Sequence, residues 1–156
     1  MAQSGRRTVL VDCDLRRPSL HTYFDLKAEP GLTNTLIGDD KLPIQETNVE
    51  NLWILTSGPK PPNPADLLGS RKLDQVIATL LEQVDIVLFT APPVNAVTDA
   101  TVLGAKVDGV LLVINSGETR RDQAQRAKEI LAKAKVRIVG ATVINAAENQ
   151  AVDTYN

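Results

Sequence analysis

The sequence is poor in the residue types that build disulfides and metal centres. Its 156 residues include one cysteine and one histidine. A single cysteine excludes an internal disulfide, which fits a reducing compartment, and a single histidine excludes a site made of several histidines. Cys13 lies within an apolar strand pattern. We therefore interpret it as a small buried hydrophobe and not as a nucleophile.

Long apolar runs and a large charge of one sign are also missing. No stretch reaches the roughly 18 apolar residues that a membrane span needs, and the N-terminus lacks the apolar core of a signal peptide. The formal net charge of −2 gives no electrostatic case for a nucleic-acid partner. With 43% hydrophobic residues the chain can build a real core. We expect one domain over residues 1–156, cytoplasmic, with any membrane role supplied by a partner.

The residues that are present alternate between strand and helix patterns. A helix beginning after Ser70 has apolar residues at the i, i+3, i+4 and i+7 spacing, which predicts one face packed on a sheet. Apolar, β-branched runs predict five strands, at residues 8–11, 51–56, 84–90, 109–115 and 136–145. This order predicts an α/β fold of three layers, α/β/α, with a mostly parallel sheet.

The first of these strands ends in a pair of carboxylates. Asp12 and Asp14 are spaced i, i+2, which puts them on one side of an extended chain, and Arg16 and Arg17 follow at once. The carboxyl edge of a parallel sheet is where ligands bind in such folds. The pair therefore predicts an ion site, while a buried strand leading into a polar turn remains the alternative at this point.

Four stretches together resemble the catalytic domain of bacterial tyrosine kinases of the polysaccharide co-polymerase type. This family is a branch of the MinD/ParA-like P-loop ATPases. The stretches are 9–18 (the acidic A′ motif), 56–68 (a glycine-proline loop and helix), 85–100 (the Walker B strand and the segment after it) and 107–121. They occur in the family's order between residue 1 and about residue 145.

The resemblance implies ATP-dependent phosphoryl transfer with Mg²⁺, in an autophosphorylating kinase that controls exopolysaccharide or capsule synthesis and export. Asp12 would hold the water shell of a Mg²⁺ bound to ATP. Asp14 would lie near the transferred phosphoryl group and help to accept the tyrosine proton. Asn145 would bind the adenine ring, although the residue pattern alone favours a strand cap. A membrane co-polymerase or adaptor would be the partner, at the inner face of the plasma membrane.

The sequence departs from the family at two positions of the site. No Gly-x-x-x-x-Gly-Lys-Ser/Thr loop occurs, so we expect the chain to lack the P-loop, its strand and most of a helix before residue 5. The expected gap lies between strands 84–90 and 109–115. A closed sheet, a strand from another chain or a strand-swapped dimer would fill it. Thr90 stands where the family has the Walker B aspartate, and Tyr155 alone remains of a C-terminal tyrosine cluster.

Three hypotheses are compatible with these matches and departures. The chain is a truncated or degenerate, catalytically inactive copy of such a kinase; it is an active ATPase or kinase completed by a P-loop from another chain; or it is a MinD/ParA-like positioning protein. The proline-rich loop at residues 58–64 and the arginine pair after Asp14 favour the kinase branch over the third hypothesis.

Overall fold

The computed structural model describes residues 1–38 and 41–146. Those residues form two compact units, one within Met1–Pro92 and the other within Pro93–Asn156, and each is described by itself. The prediction of a single domain over 1–156 stays a prediction, and Tyr155 lies outside the described residues. Within the described ranges no helix is both long and apolar enough to cross a bilayer.

The sheet of the first unit is built around its first strand. Strand β1 (Thr8–Asp12) runs parallel to β3 (Leu52–Leu55) on one side and to β4 (Ile86–Thr90) on the other. The short β2 (Gln45–Glu46) adds antiparallel to β3, so the order is β2-β3-β1-β4. Val9 and Val11 of β1 are fully buried. A strand with neighbours on both sides and cover on both faces reads as a continuous apolar run, as this one does.

Four helices belong to this unit: α1 (Leu20–Tyr23), α2 (Leu32–Ile37), α3 (Pro64–Gly69) and α4 (Arg71–Gln83). The predicted start of α4 is confirmed, because Ser70 is its N-cap and the Ser70 Oγ accepts the N–H of Leu73 at 3.3 Å. Its apolar stripe is buried at Leu73, Val76 and Leu80.

Helix α2 begins differently from the sequence expectation, in which Thr33 caps it. Gly31 is the N-cap, and the Asn34 Oδ1 accepts the Gly31 N–H at 2.9 Å. A Cβ atom at Gly31 would collide with the backbone of Thr56 and Gly58. Only glycine permits this approach, which lets the N–H of Leu32 donate to the carbonyl of Thr56 at 2.8 Å.

The second unit holds a two-stranded parallel sheet and two helices. Strands β5 (Val110–Asn115) and β6 (Ile138–Ile144) pair with a register shift before Gly140, where the sequence predicted a bend or bulge. The helices are α5 (Asp99–Gly104) and α6 (Arg121–Lys133). The predicted capping box of Thr119 and Asp122 is wrong. Arg120 is the N-cap, and its N–H donates to the Oε1 of Gln123, a residue whose side chain is long enough to reach back.

Two strands have a partner on one edge only. Among the described residues, β4 pairs with β1 alone and β5 pairs with β6 alone. Both strands are apolar on both faces, yet Leu88 of β4 is 39% exposed and Leu111 of β5 is 56% exposed. Each unit thus has one strand whose sequence is typical of a sheet interior at the edge of its own sheet. The expected gap of one strand stays a prediction.

Candidate functional site

The side chain of Asp12 accepts four hydrogen bonds at the carboxyl end of β1. Its Oδ2 accepts the backbone N–H groups of Ser19 and Leu20, both at 3.0 Å. Its Oδ1 accepts the Thr90 hydroxyl at 3.0 Å and the Asp14 N–H at 3.3 Å. Asp12 is 1% exposed. A buried carboxylate with this set of donors is fully satisfied by the protein itself.

Local structure explains each of these donors. Asp12 and Thr90 are register partners at the ends of the parallel strands β1 and β4, so their side chains leave the same face of the sheet. Ser19 and Leu20 begin α1, where the amides of a first turn have no partner inside the helix. Ser19 makes no capping bond with its own hydroxyl. The carboxylate of Asp12 caps this helix from the strand.

Asp14 lies in the turn that follows β1. The strand ends at Asp12, so the chain is not extended through Asp14 as the i, i+2 spacing assumed. The Asp14 Oδ1 accepts the N–H of Arg16 at 3.2 Å and of Arg17 at 2.9 Å, an Asx-type turn. Its Oδ2 accepts no hydrogen bond from the described residues, and the residue is half-buried. Asp14 therefore keeps one oxygen able to accept a proton or a ligand.

Cys13 lies between the two acids and takes no part in their hydrogen bonding. It is fully buried. Burial raises the pKa of the Cys13 thiol far above its ordinary value, and the negative charge of Asp12 raises it further. Because the thiolate is the nucleophile, the residue is inert in the folded state. This agrees with its interpretation as a buried hydrophobe.

Asn145 lies in the second unit, directly after β6. It is exposed and has a φ of 56°. Its Nδ2 donates to the Oδ1 of Asn115 at 2.8 Å, and the Asn115 Nδ2 donates to the Oε2 of Glu118 at 2.6 Å. Sequence reasoning singled out Asn145 but missed Asn115. The available signal was that both asparagines end neighbouring parallel strands, whose carboxyl ends meet at one edge.

The described residues offer a poor donor set for a directly bound Mg²⁺. A divalent cation of this kind needs carboxylate or carbonyl oxygens with free lone pairs. Both oxygens of Asp12 are taken by N–H and O–H donors, and its neighbour across the strands is the uncharged Thr90. Across residues 1–38 and 41–146 no group of three or more His, Cys, Asp or Glu side chains could hold a metal ion. Asp12 as it stands therefore does not fit the role of metal ligand.

A parallel-sheet α/β fold with acids at the carboxyl end of its central strand defines a nucleotide-dependent class of proteins, and comparison with solved structures agrees. The kinase domain of the Escherichia coli tyrosine kinase ETK superposes with a TM-score of 0.89 at 32% identity, over 99% of this chain and 61% of that one. The septum site-determining protein MinD of Pyrococcus horikoshii, complexed with Mg-ADP, gives 0.73 at 26% identity, over 94% and 62%. The chain thus has the fold of the MinD-like P-loop ATPases.

Comparison with curated proteins narrows the class to a family. The tyrosine-protein kinase YwqD of Bacillus subtilis is 44% identical over 142 residues, which are 90% of this chain and 60% of YwqD. The tyrosine-protein kinase CpsD of Streptococcus agalactiae is 33% identical over 99% of this chain and 68% of CpsD. A scan against protein-family models finds no match. The chain belongs to the family of bacterial tyrosine-protein kinases, and it spans about three fifths of the length of YwqD.

Proposed function

We propose that the chain is part of a bacterial protein-tyrosine kinase that acts in exopolysaccharide or capsule synthesis, and that its own residues do not hold Mg·ATP. The observation that carries the second half is the saturated carboxylate of Asp12, with the Thr90 hydroxyl in place of a second acid. The absence of Gly-x-x-x-x-Gly-Lys-Ser/Thr from residues 1–156 supports it, since that loop supplies the amides and the lysine that bind phosphates.

Asp14 is the residue of this chain that we assign to the transfer step. Its backbone turn fixes the carboxylate through two N–H groups on Oδ1, which leaves Oδ2 to accept the proton of an attacking tyrosine hydroxyl. Phosphoryl transfer depends mostly on positioning and charge, so a carboxylate held by its own turn suits that role.

Asn145 is the residue that we assign to the adenine. A side-chain amide both donates and accepts, which matches the alternating donors and acceptors on the edge of that base. Its Nδ2 is bonded to Asn115, so the carbonyl Oδ1 of Asn145 is the atom left to accept from a ligand amino group.

Thermal unfolding with and without Mg·ATP tests the proposal. We expect the same Tm in both conditions, and no phosphotyrosine on the chain or on an added tyrosine polymer. YwqD, which carries this fold at greater length, is the positive control for both readouts. A clear rise of Tm with Mg·ATP, lost in Asn145→Ala, would contradict the statement that the chain does not bind nucleotide.

A second candidate function is an active kinase completed by a P-loop strand from another chain. The observation that favours it is the unpaired outer edge of β4, which is apolar on both faces. Its test is a phosphotransfer assay after mixing the chain with a peptide that carries an apolar strand followed by the P-loop. The control peptide has the loop lysine replaced by alanine. Activity with the first peptide alone supports this candidate, and silence with both rejects it.

The partner that we propose is a membrane co-polymerase or adaptor, which would hold the chain at the cytoplasmic face of the plasma membrane. No helix of the described residues can serve as an anchor, so recruitment would depend on that partner. A fluorescent fusion of the chain should move to the cell periphery when the adaptor of a related capsule system is co-expressed. A diffuse signal in both conditions would count against the partner.

A further inference from the structure

The carboxylate of Asp12 organises the segment of chain that follows it. Three of its four donors are backbone N–H groups from residues two, seven and eight positions later: those of Asp14, Ser19 and Leu20. Leu20 is buried, and a buried amide without a partner is strongly destabilising. Segment 13–20 is therefore folded back onto one side chain at the end of β1.

The fourth donor is the only one that comes from another strand. The Thr90 Oγ1 lies 3.0 Å from the Oδ1 of Asp12 and 3.5 Å from the carbonyl oxygen of Val11, so the shorter and charge-assisted bond goes to the carboxylate. A neutral donor at this position stabilises the negative charge without adding another. A carboxylate at the same position would place two negative groups side by side, an arrangement that needs a proton or a cation between them.

We infer that Asp12 in this chain is a structural acceptor that folds segment 13–20, and that the Thr90 hydroxyl takes the place of a cation beside it. The structure around Asp12 is then independent of divalent metal. This inference does not rest on the proposed kinase function, since it concerns the stability of the folded chain with or without phosphoryl transfer.

The first test compares Tm values of the full chain in EDTA and in millimolar MgCl2, with KCl added to equal ionic strength. We expect one Tm for the unmodified chain in both buffers. Thr90→Ser keeps the hydroxyl and should keep the Tm, whereas Thr90→Val removes the donor and should lower it by roughly 3–10 °C. A Thr90→Val variant with an unchanged Tm would overturn the inference, as would a Mg²⁺-dependent gain in the unmodified chain that Asp12→Asn abolishes.

The second test creates the missing charge. Thr90→Asp should have a reduced Tm in EDTA that MgCl2 raises, while the isosteric and uncharged Thr90→Asn should show no response to MgCl2. Equal responses of these two variants would contradict the placement of the Thr90 hydroxyl at a cation position. If Thr90→Asp does not fold in either buffer, Thr90→Ser and Thr90→Val decide the question. An equal Mg²⁺ effect on the unmodified chain and Asp12→Asn would place the metal elsewhere and support the inference.

Discussion

Arg7 and Asp85 join the starts of two neighbouring strands through two hydrogen bonds. The Arg7 Nη2 donates to the Asp85 Oδ1 at 3.0 Å, and the backbone N–H of Arg7 donates to the Oδ2 at 2.9 Å. The carbonyl of Arg7 in turn accepts the N–H of Asp85 at 2.9 Å. These contacts fix the register in which β1 and β4 begin, at the opposite end of the strands from Asp12 and Thr90.

The Arg7–Asp85 pair predicts a small stability effect that depends on pH. The hydrogen bond from the Arg7 guanidinium, followed by that from its backbone N–H, lowers the pKa of Asp85 below its ordinary value of 3.8. A carboxyl with a depressed pKa in the folded state stabilises the fold above its unfolded pKa, and the contribution is lost as the pH falls through the folded value. Asp85→Asn should therefore lower the urea midpoint slightly at pH 7 and leave it unchanged well below pH 3.8.

The control for this measurement is Glu82→Gln, which neutralises an exposed acid on α4. It should leave the midpoint at pH 7 close to that of the unmodified chain. An Asp85→Asn variant that loses as much stability in strong acid as at neutral pH would show that its effect does not come from the charge.

Two adjacent leucines of α4 predict opposite results. Leu80 is fully buried and Leu81 is 55% exposed, because only one face of the helix packs on the sheet. Leu80→Ala should lower the free energy of unfolding by about 2–5 kcal/mol, from lost apolar burial and the cavity left behind. Leu81→Ala should change it by about 0.5 kcal/mol or less. Denaturant unfolding of both variants checks the assignment of the faces, and equal losses would contradict it.

Local patterns in the sequence predicted much of this fold. The apolar spacing after Ser70 located α4 and its cap, and the β-branched runs located β1, β3, β4, β5 and β6 within a few residues. These features depend on neighbours in the chain, so a single sequence contains them. The aspartates at the end of β1 were found for the same reason, since strand ends and ligand edges coincide in parallel sheets.

Contacts between distant residues could not be predicted in this way. Thr90 was recognised as a substitute for an acid, but its bond to Asp12 joins residues 78 positions apart and depends on the register of β1 with β4. The caps of α2 and α6 were missed because amide side chains, Asn34 and Gln123, supply them from inside the helix. Several residue types can fill such positions, so only the folded backbone decides between them.

Two threonines of α2 allow a test of hydrogen bonding in the buried part of the first unit. The Thr33 Oγ1 is buried and has no hydrogen-bond partner among the described residues, whereas the Thr35 Oγ1 donates to the carbonyl of Lys41 at 2.9 Å. Thr33→Val replaces an unsatisfied hydroxyl with a methyl group of similar size and should leave stability unchanged or increase it. Thr35→Val should lower it by about 1 kcal/mol. Chemical denaturation measures both, and a large loss in Thr33→Val would show that its hydroxyl has a partner.

The single cysteine provides a direct measure of opening at the candidate site. Cys13 is fully buried between Asp12 and Asp14, and burial raises the pKa of its thiol. A thiol reagent such as DTNB should therefore react very slowly with the folded chain at pH 8 and rapidly in urea, because reaction needs both access and the thiolate. The reactive fraction should follow the loss of circular dichroism across the urea transition. Thr90→Val removes a donor to Asp12 and should speed labelling without urea more than Leu81→Ala does, if segment 13–20 opens locally when its acceptor loses a partner. Equal labelling rates in the two variants would mean that the thiol is reached only through global unfolding.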